Sequence, residues 1–337
     1  MAEPLLEVRD LKVHFPTEDG LVKAVDGISF SVDRGETLGV VGESGSGKSV
    51  TFLTVLGLIN RRAARVEGQI LFRGQDLLTT PVEELRNIRG SKISMIFQDP
   101  MTSLHPYYRV GDQIVEAIRT HQPMDKHEAF NTAVEMLSKV GIPRPDERAR
   151  QFPHEYSGGM RQRAMIAMAL SLNPDLLVAD EPTTALDVTV QAQILDLIDR
   201  LKDEFEASVV IITHDLGVVA EHTNNVMVMY AGKIAEYGSR DDIYYRAHHP
   251  YTWGLLQSIT RLDQPRLERL RPIQGLPPSL IFVPPGCPFH PRCPHVMDVC
   301  KTEVPPLLSE DGRHASACHL TLAEKERIFN EEVAIRS

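Results

Sequence analysis

Alternating apolar and polar residues divide the start of the chain into short strands. Leu6 and Val8, and then Leu11, Val13 and Phe15, are separated by polar residues. This period of two predicts a half-buried strand over residues 5–15. A turn-forming stretch at 17–20 and a second strand-like stretch at 22–32 follow. We therefore expect antiparallel strands at the start of the fold.

The rest of the chain alternates between apolar runs of strand length and stretches with helical periodicity. The apolar runs lie at 37–41, 68–72, 92–97, 176–181 and 208–213. The helical stretches lie at 50–58, 101–155, 160–170 and 190–205. Continuous apolar runs are typical of buried parallel strands. The alternation predicts an α/β fold with a mostly parallel sheet that binds ligands at the carboxyl ends of its strands.

Composition narrows the class of protein. The 337 residues are 42% hydrophobic and 24% charged, which is typical of globular domains, and the net charge of −10 argues against nucleic acid as the main partner. No apolar run approaches the roughly 20 residues of a membrane helix. The N-terminus has no basic region followed by an apolar one. These features predict a cytosolic protein.

A phosphate-binding loop lies between the run at 37–41 and the helical stretch at 50–58. Residues 42–49, Gly-Glu-Ser-Gly-Ser-Gly-Lys-Ser, fit the pattern G-x-x-x-x-G-K-[ST]. The glycines let the backbone approach phosphate oxygens, and N–H groups at the helix start favour an anion. We expect Lys48 to reach the β- and γ-phosphates and Ser49 to coordinate Mg²⁺.

Polar residues at the ends of three other strands suggest the rest of a nucleotide site. Asp180 and Glu181 end the run at 176–181, and we expect Asp180 to hold Mg²⁺ and Glu181 to polarise the attacking water. Alone, two acids would be read as a strand cap; beside a phosphate loop the catalytic interpretation is favoured. Gln98 and His214 follow two further strands. By themselves, a glutamine here is more often a solvated turn residue and a histidine more often a capping residue.

The stretch at 156–163, Tyr-Ser-Gly-Gly-Met-Arg-Gln-Arg, resembles the signature motif of ATP-binding-cassette ATPases. The resemblance implies a Q-loop role for Gln98, a Walker B aspartate and catalytic glutamate at Asp180 and Glu181, and a switch role for His214. It implies further nucleotide contacts at Phe15, which would stack on adenine, and at Gly42, Ser44, Gly45, Gly47 and Val50. It also implies that Ser157, Gly158 and Gly159 act on the ATP of a second, head-to-tail subunit. Residues 185–187 match the D-loop, with Asp187 as a further nucleotide-binding residue.

The same resemblance implies a cassette-type phosphate-loop NTPase with three parts. Residues 5–97 and 165–240 would form a RecA-like, mostly parallel core with an N-terminal antiparallel β-subdomain. Residues 98–164 would form a helical subdomain that ends in the signature motif. Residues 241–337 would form a small Cys/Pro-rich C-terminal region.

Finer similarities point to the ATPase subunits of the bacterial oligopeptide/dipeptide permeases. They lie at 97–104, 180–193, 248–251 and 286–294. His105 precedes Pro106 where that family usually has asparagine. The resemblance implies a peripheral protein on the cytoplasmic face of the inner membrane. Its expected partners are a second, paralogous ATPase subunit, two integral-membrane permease subunits and, through the complex, an external peptide-binding protein.

Four cysteines, Cys287, Cys293, Cys300 and Cys318, lie in a Pro-rich segment. In a reducing compartment they are read as metal ligands before disulfides. Four thiolates suit Zn²⁺ or an iron–sulfur cluster, and the spacings are wider than in a usual zinc knuckle. Members of the permease family carry a [4Fe–4S] cluster at matching cysteines, so the resemblance favours that cluster; zinc and ordinary thiols remain open. His290, His295 and His319 are spare ligands nearby.

Other functions remain to be weighed against a peptide-importing ATPase. The same subfamily also serves nickel and glycan cargo. A soluble cassette protein acting on DNA or the ribosome is disfavoured by the single signature motif and the acidic balance. A small-molecule kinase is disfavoured by the signature motif and by His214.

Overall fold

The structure is a computed structural model that describes residues 3–99, 103–184, 186–258, 273–309 and 312–333. Ala185 of the predicted D-loop and residues 100–102 of a permease-like motif lie outside these ranges. The strands are β1 (Leu6–Thr17), β2 (Gly20–Val32), β3 (Thr37–Val41), β4 (Arg65–Phe72), β5 (Gln75–Asp76), β6 (Ile93–Ile96), β7 (Leu176–Asp180), β8 (Ser208–Thr213), β9 (Asn225–Tyr230), β10 (Lys233–Ser239), β11 (Leu308–Ser309) and β12 (Ala315–Ser316). The helices are α1 (Lys48–Val55), α2 (Val82–Ile88), α3 (Val110–His121), α4 (Lys126–Lys139), α5 (Pro145–Ala149), α6 (Gly158–Leu170), α7 (Val188–Phe205), α8 (Leu216–His222), α9 (Arg240–Tyr245), α10 (Pro250–Gln257) and α11 (Leu322–Ile328).

The first of two compact units consists mainly of Gln75–Ile212, with Met1–Leu5 and Val32–Glu36. Its strands β6, β7 and β8 pair in parallel, and their side chains are buried because both faces of the sheet are covered. Helices α3, α4 and α5 pack on one another, and α6 packs on β6. The carboxyl ends of the three parallel strands lie at one edge, where Gln98 and Glu181 follow.

The second unit consists of Leu6–Ser31, Thr37–Gly74 and Thr213–Ser337. In it β1 is bordered by β2 and pairs antiparallel with β4. In a sheet distinct from that of β1, β2 and β4, β3 pairs in parallel with β9, and β10, β12 and β11 follow antiparallel. A core cluster joins this sheet to the C-terminal segment, with Tyr230 and Tyr251 packing against Phe289 at ring-centroid distances of 5.2 and 5.4 Å.

The sequence-based elements are confirmed. The strands predicted at 5–15 and 22–32 are β1 and β2, the later apolar runs are strands, and the stretch at 101–155 is helical over its described elements. The helix after the phosphate loop begins earlier than predicted, at Lys48, because the loop's last glycine already serves as its N-cap. Among the described residues, no helix combines the length and apolar composition needed to cross a bilayer.

Candidate nucleotide site

The phosphate loop connects β3 to α1, and two of its glycines are required by close backbone approaches. A Cβ on Gly42 would lie 2.2 Å from the carbonyl oxygen of Met229, and one on Gly47 would lie 2.3 Å from that of Ala24. Gly47 also has φ of 103°, a left-handed conformation that favours glycine. Any side chain at either position would displace the loop from β9 or from β2.

Lys48 is buried under this loop and holds it from within. Its Nζ donates hydrogen bonds to the carbonyl oxygens of Gly42, at 2.7 Å, and Glu43, at 3.1 Å. Ser46 Oγ is buried and, within the described part of the chain, has no hydrogen-bond partner. A buried hydroxyl without a partner is costly, and a phosphate oxygen would satisfy it. The loop therefore fits the polyphosphate of a nucleotide.

The predicted carboxylates lie at the end of β7 in the first unit. Asp180 is buried, whereas Glu181 is more open and has φ of 46°, a left-handed conformation that is strained for a residue other than glycine. Oε2 of Glu181 accepts hydrogen bonds from Gln98 Nε2, at 2.9 Å, and from Thr184 Oγ1, at 2.8 Å. Two donors on one oxygen fix the direction of the carboxylate, as a group that must orient a water requires.

The signature motif and the D-loop adjoin each other within the same unit. Ser157 is the N-cap of α6, and its Oγ accepts a hydrogen bond from the N–H of Met160. Asp187 caps α7 in the same way. A Cβ on Gly159 would lie 3.2 Å from Val190 Cγ1. Ser157 and Gly158 remain exposed, so the start of α6 presents an open, anion-favouring helix terminus.

The remaining predicted nucleotide contacts lie at exposed or half-buried positions. Phe15 is half-buried near the end of β1, and Val50 is half-buried in the first turn of α1. His214 is exposed directly after β8. Their contacts with a nucleotide stay predictions.

The four cysteines line one small cavity in the second unit, together with His249, His290, His295 and His319. None of the four forms a disulfide. Burial raises the pKa of Cys287 to about 11 and that of Cys293 to about 12, because a buried thiolate loses its hydration and the neighbouring thiols add to the effect.

The three spare histidines have other partners. His290 Nδ1 lies 3.0 Å from the carbonyl oxygen of Cys287, and His319 Nε2 lies 3.0 Å from that of Glu303. His295 pairs with Glu332 at 3.6 Å. The four cysteines remain the ligand set predicted for this cavity.

Three residues that contact Glu181 or Glu43 were not predicted from the sequence. Thr184 follows Glu181 by three residues, and that spacing was a signal that could have been used. Tyr251 lies 208 residues from Glu43, and its hydroxyl accepts a hydrogen bond from the Glu43 N–H. Arg292 lies 249 residues from Glu43 and pairs with its carboxylate. No local pattern indicates contacts at such separations.

Comparison with known proteins identifies the family. The family model for ABC transporters matches residues 25–184, and that for the oligopeptide/dipeptide transporter C-terminal region matches residues 235–300. The chain is 52% identical over 323 residues to the oligopeptide transport ATP-binding protein OppD of Salmonella typhimurium, with 96% of each chain covered. It is 53% identical over 319 residues to the dipeptide transport ATP-binding protein DppD of Bacillus subtilis, with 94% of this chain and 95% of the relative covered.

A solved structure agrees with the fold. The dimeric ATP-binding cassette MJ0796 bound to ADP and Pi matches with a TM-score of 0.63 and 25% sequence identity, over 70% of this chain and 98% of that one. The phosphate loop, β7 and α6 all fall within residues 25–184, the range that the ABC transporter family model matches. This chain therefore belongs to the ABC transporter family, among the ATP-binding subunits that carry the oligopeptide/dipeptide transporter C-terminal region.

Proposed function

We propose that this protein hydrolyses ATP to power the import of peptides across the bacterial inner membrane, as a peripheral subunit on the cytoplasmic face. The hydrogen bond from Gln98 to Glu181 carries the hydrolytic part of the proposal, since it joins the predicted Q-loop to the predicted catalytic carboxylate. The relatives, named as oligopeptide and dipeptide transport ATP-binding proteins, support peptide cargo over nickel or glycans and a transport ATPase over a kinase or soluble cassette protein.

In the proposed site, the loop backbone at Gly42, Ser44, Gly45, Gly47 and Val50 and the charge of Lys48 bind the phosphates, and Phe15 stacks on the adenine. Ser49, Gln98 and Asp180 are the side chains that would hold Mg²⁺, which neutralises phosphate charge when bound. Glu181 accepts a proton from the attacking water, and His214 donates to the γ-phosphate. Ser157, Gly158, Gly159 and Asp187 act on the ATP of a second, paralogous ATPase subunit.

The proposed docking site for the two membrane subunits is an apolar groove in the first unit. The groove has a volume of about 180 Å³ and is lined in part by Met95, Phe97, Met165, Met168 and Leu172. Phe97 is 41% exposed and directly precedes Gln98. A helix seated there would contact the residue next to the Q-loop, so hydrolysis and transport could be coupled. The external peptide-binding protein would join through the membrane subunits, and no nucleic acid takes part.

The three-part division predicted from sequence is kept as part of this proposal. Residues 5–97 and 165–240 would be the nucleotide-binding core, 98–164 the helical subdomain and 241–337 the C-terminal region. The C-terminal family model matches residues 235–300, which supports a distinct C-terminal region that begins near residue 241.

Cys287, Cys293, Cys300 and Cys318 are the proposed ligands of an iron–sulfur cluster. The four cysteines line one small cavity, which supports a ligand that they share. Their spacings along the chain, wider than in a usual zinc knuckle, favour [4Fe–4S] over Zn²⁺. Ligation would connect β12 to the Pro-rich segment. Its role is proposed as structural.

Uptake by the reconstituted complex tests the proposal. The chain would be co-purified with its membrane subunits and second ATPase, inserted in proteoliposomes, and supplied with the binding protein and a radiolabelled tripeptide. We expect uptake that requires ATP and is lost in Lys48→Ala, with exposed Lys126→Ala as the control. Uptake of Ni²⁺ or a disaccharide instead of the peptide would contradict the cargo, and ATP-independent uptake would contradict the ATPase role.

A further inference from the structure

The phosphate loop carries an acidic side chain that the C-terminal segment neutralises. Glu43 is the second residue of the loop, and Arg292 forms a two-pronged ion pair with it, Nη1 to Oε2 at 2.6 Å and Nη2 to Oε1 at 3.0 Å. Only 5% of the arginine side chain and 29% of the glutamate side chain are exposed. Paired, parallel hydrogen bonds of this kind between charged groups are strong and fix the orientation of both partners.

Arg292 is itself anchored on its other edges. Its Nε donates to the carbonyl oxygen of Gln274 at 3.0 Å, and Nη1 also donates to the hydroxyl of Tyr230 at 3.2 Å. It lies in the short turn His290–Arg292 between two of the cysteines. The pair with Glu43 raises the already high pKa of the guanidinium, so the positive charge is permanent. The arginine is therefore a fixed charge presented to the loop.

The backbone of Glu43 continues the connection to the phosphate-binding lysine. Its N–H donates to Tyr251 Oη at 2.8 Å, and its carbonyl oxygen accepts from Lys48 Nζ at 3.1 Å. A cavity of about 240 Å³ borders the loop, lined by 43–46 and by Tyr230, Ala231, Pro277, Pro278 and Leu280. An anion bound at this loop would lie close to the Glu43 carboxylate.

An unpaired carboxylate in a polyphosphate-binding loop would repel its ligand. The Glu43 side chain is partly buried, so solvent screens this repulsion only weakly. We propose that Arg292 is a positioning residue for nucleotide binding: by pairing with Glu43 it cancels the loop's negative charge and holds the loop in the conformation that receives ATP. This inference rests on the proposed ATP-binding function.

Binding of a fluorescent ATP analogue with Mg²⁺ to the full-length protein tests the inference. We expect Arg292→Met to weaken binding about ten-fold, equal to about 1.4 kcal/mol. Glu43→Gln added to Arg292→Met should bring the affinity back to within about two-fold of the wild type, because the repelling charge is gone. The affinity of Arg292→Lys should lie between those of Arg292→Met and the double variant, since lysine keeps the charge but loses the paired geometry. The matched control is Arg327→Met, which removes an exposed arginine paired with Glu331 and should leave affinity unchanged.

Salt separates the charge effect from loss of packing. The defect of Arg292→Met should shrink between about 0.05 and 0.5 M salt, because screening weakens the repulsion by Glu43; a packing defect would not respond in this way. Circular dichroism would confirm that each variant is folded, and if Arg292→Met does not fold, the lysine and double variants carry the test.

Two results would overturn the inference: unchanged affinity in folded Arg292→Met, or a double variant at least as weak as the single one. A wild-type protein that does not bind the analogue would instead contradict the proposed function itself.

Discussion

Gln98 donates a hydrogen bond of 2.9 Å to the carboxylate of Glu181, across 83 residues of sequence. The two residues follow neighbouring parallel strands, β6 and β7, whose carboxyl ends share one edge. The glutamine lies next to the proposed membrane-subunit groove, and the glutamate is the proposed base. Movement at the groove would therefore change the orientation of the carboxylate directly.

Replacing the proposed base tests its chemical role. Glu181→Gln should lower ATP hydrolysis by the assembled complex on the order of 100-fold or more, because the attacking water loses its proton acceptor. ATP binding should persist, since Lys48, Ser49 and Asp180 are unchanged, and the closed, ATP-bound dimer should accumulate. Steady-state phosphate release and retained nucleotide would be measured, with the partner ATPase inactivated separately. Near-normal turnover by this subunit would rule out the assignment.

The two donors on Glu181 should contribute to hydrolysis by orienting its carboxylate. Gln98→Ala and Thr184→Val each remove one hydrogen bond to Oε2, and each should lower the rate about ten-fold while the double variant loses more. Thr184→Ser keeps the hydroxyl and is the matched control. Phosphate release at saturating ATP would be compared for all four variants. A Thr184→Val rate equal to that of wild type would mean that this contact has no part in catalysis.

A substitution in the signature motif should act on the partner's ATP. Ser157→Arg places a long cation at the exposed start of α6, where it would block closure over the γ-phosphate of the second subunit. ATP affinity of the isolated chain should stay within about two-fold of wild type, whereas hydrolysis at the partner's site should fall on the order of 100-fold. Nucleotide trapping at each site would distinguish the two. A large loss of affinity in the isolated chain would contradict action across the interface.

The apolar groove should bind the membrane subunits. Met168→Glu introduces a charge into its lining and should lower the yield of membrane subunits that co-purify with the tagged chain by about ten-fold or more. Leu308→Glu, at a 63% exposed position in the other unit, is the control and should have no effect. Unchanged co-purification with folded Met168→Glu would place the docking surface elsewhere.

The cysteine cavity should hold iron in protein prepared without oxygen. We expect a brown protein with about four irons per chain, and Cys293→Ser should lose most of the iron and make the C-terminal segment more sensitive to protease. His290→Gln should keep the iron, because the four cysteines supply all the proposed ligands. Metal analysis and absorption spectra decide the outcome. Stoichiometric zinc without iron would replace the cluster by a zinc site, and no metal at all would leave four ordinary thiols.

Local features of this protein were determined by the sequence itself. The phosphate loop, the buried strand that ends at Asp180 and the cap at Ser157 each depend on residues within a few positions of one another. Glycine conformations, hydrophobic period and capping hydrogen bonds act at that range, so a linear pattern is enough to predict them. The family resemblance then supplied the expected role of each motif.

Contacts between distant residues were decided only by the tertiary structure. Arg292 meets Glu43 across 249 residues because the C-terminal segment packs on β9 and α10, and nothing in the residues around either one indicates that pairing. The cysteine spacings indicated a shared ligand but not the single small cavity that the four side chains line. Such contacts follow from how side chains pack in a close-packed core, and packing is a property of the whole fold rather than of any segment.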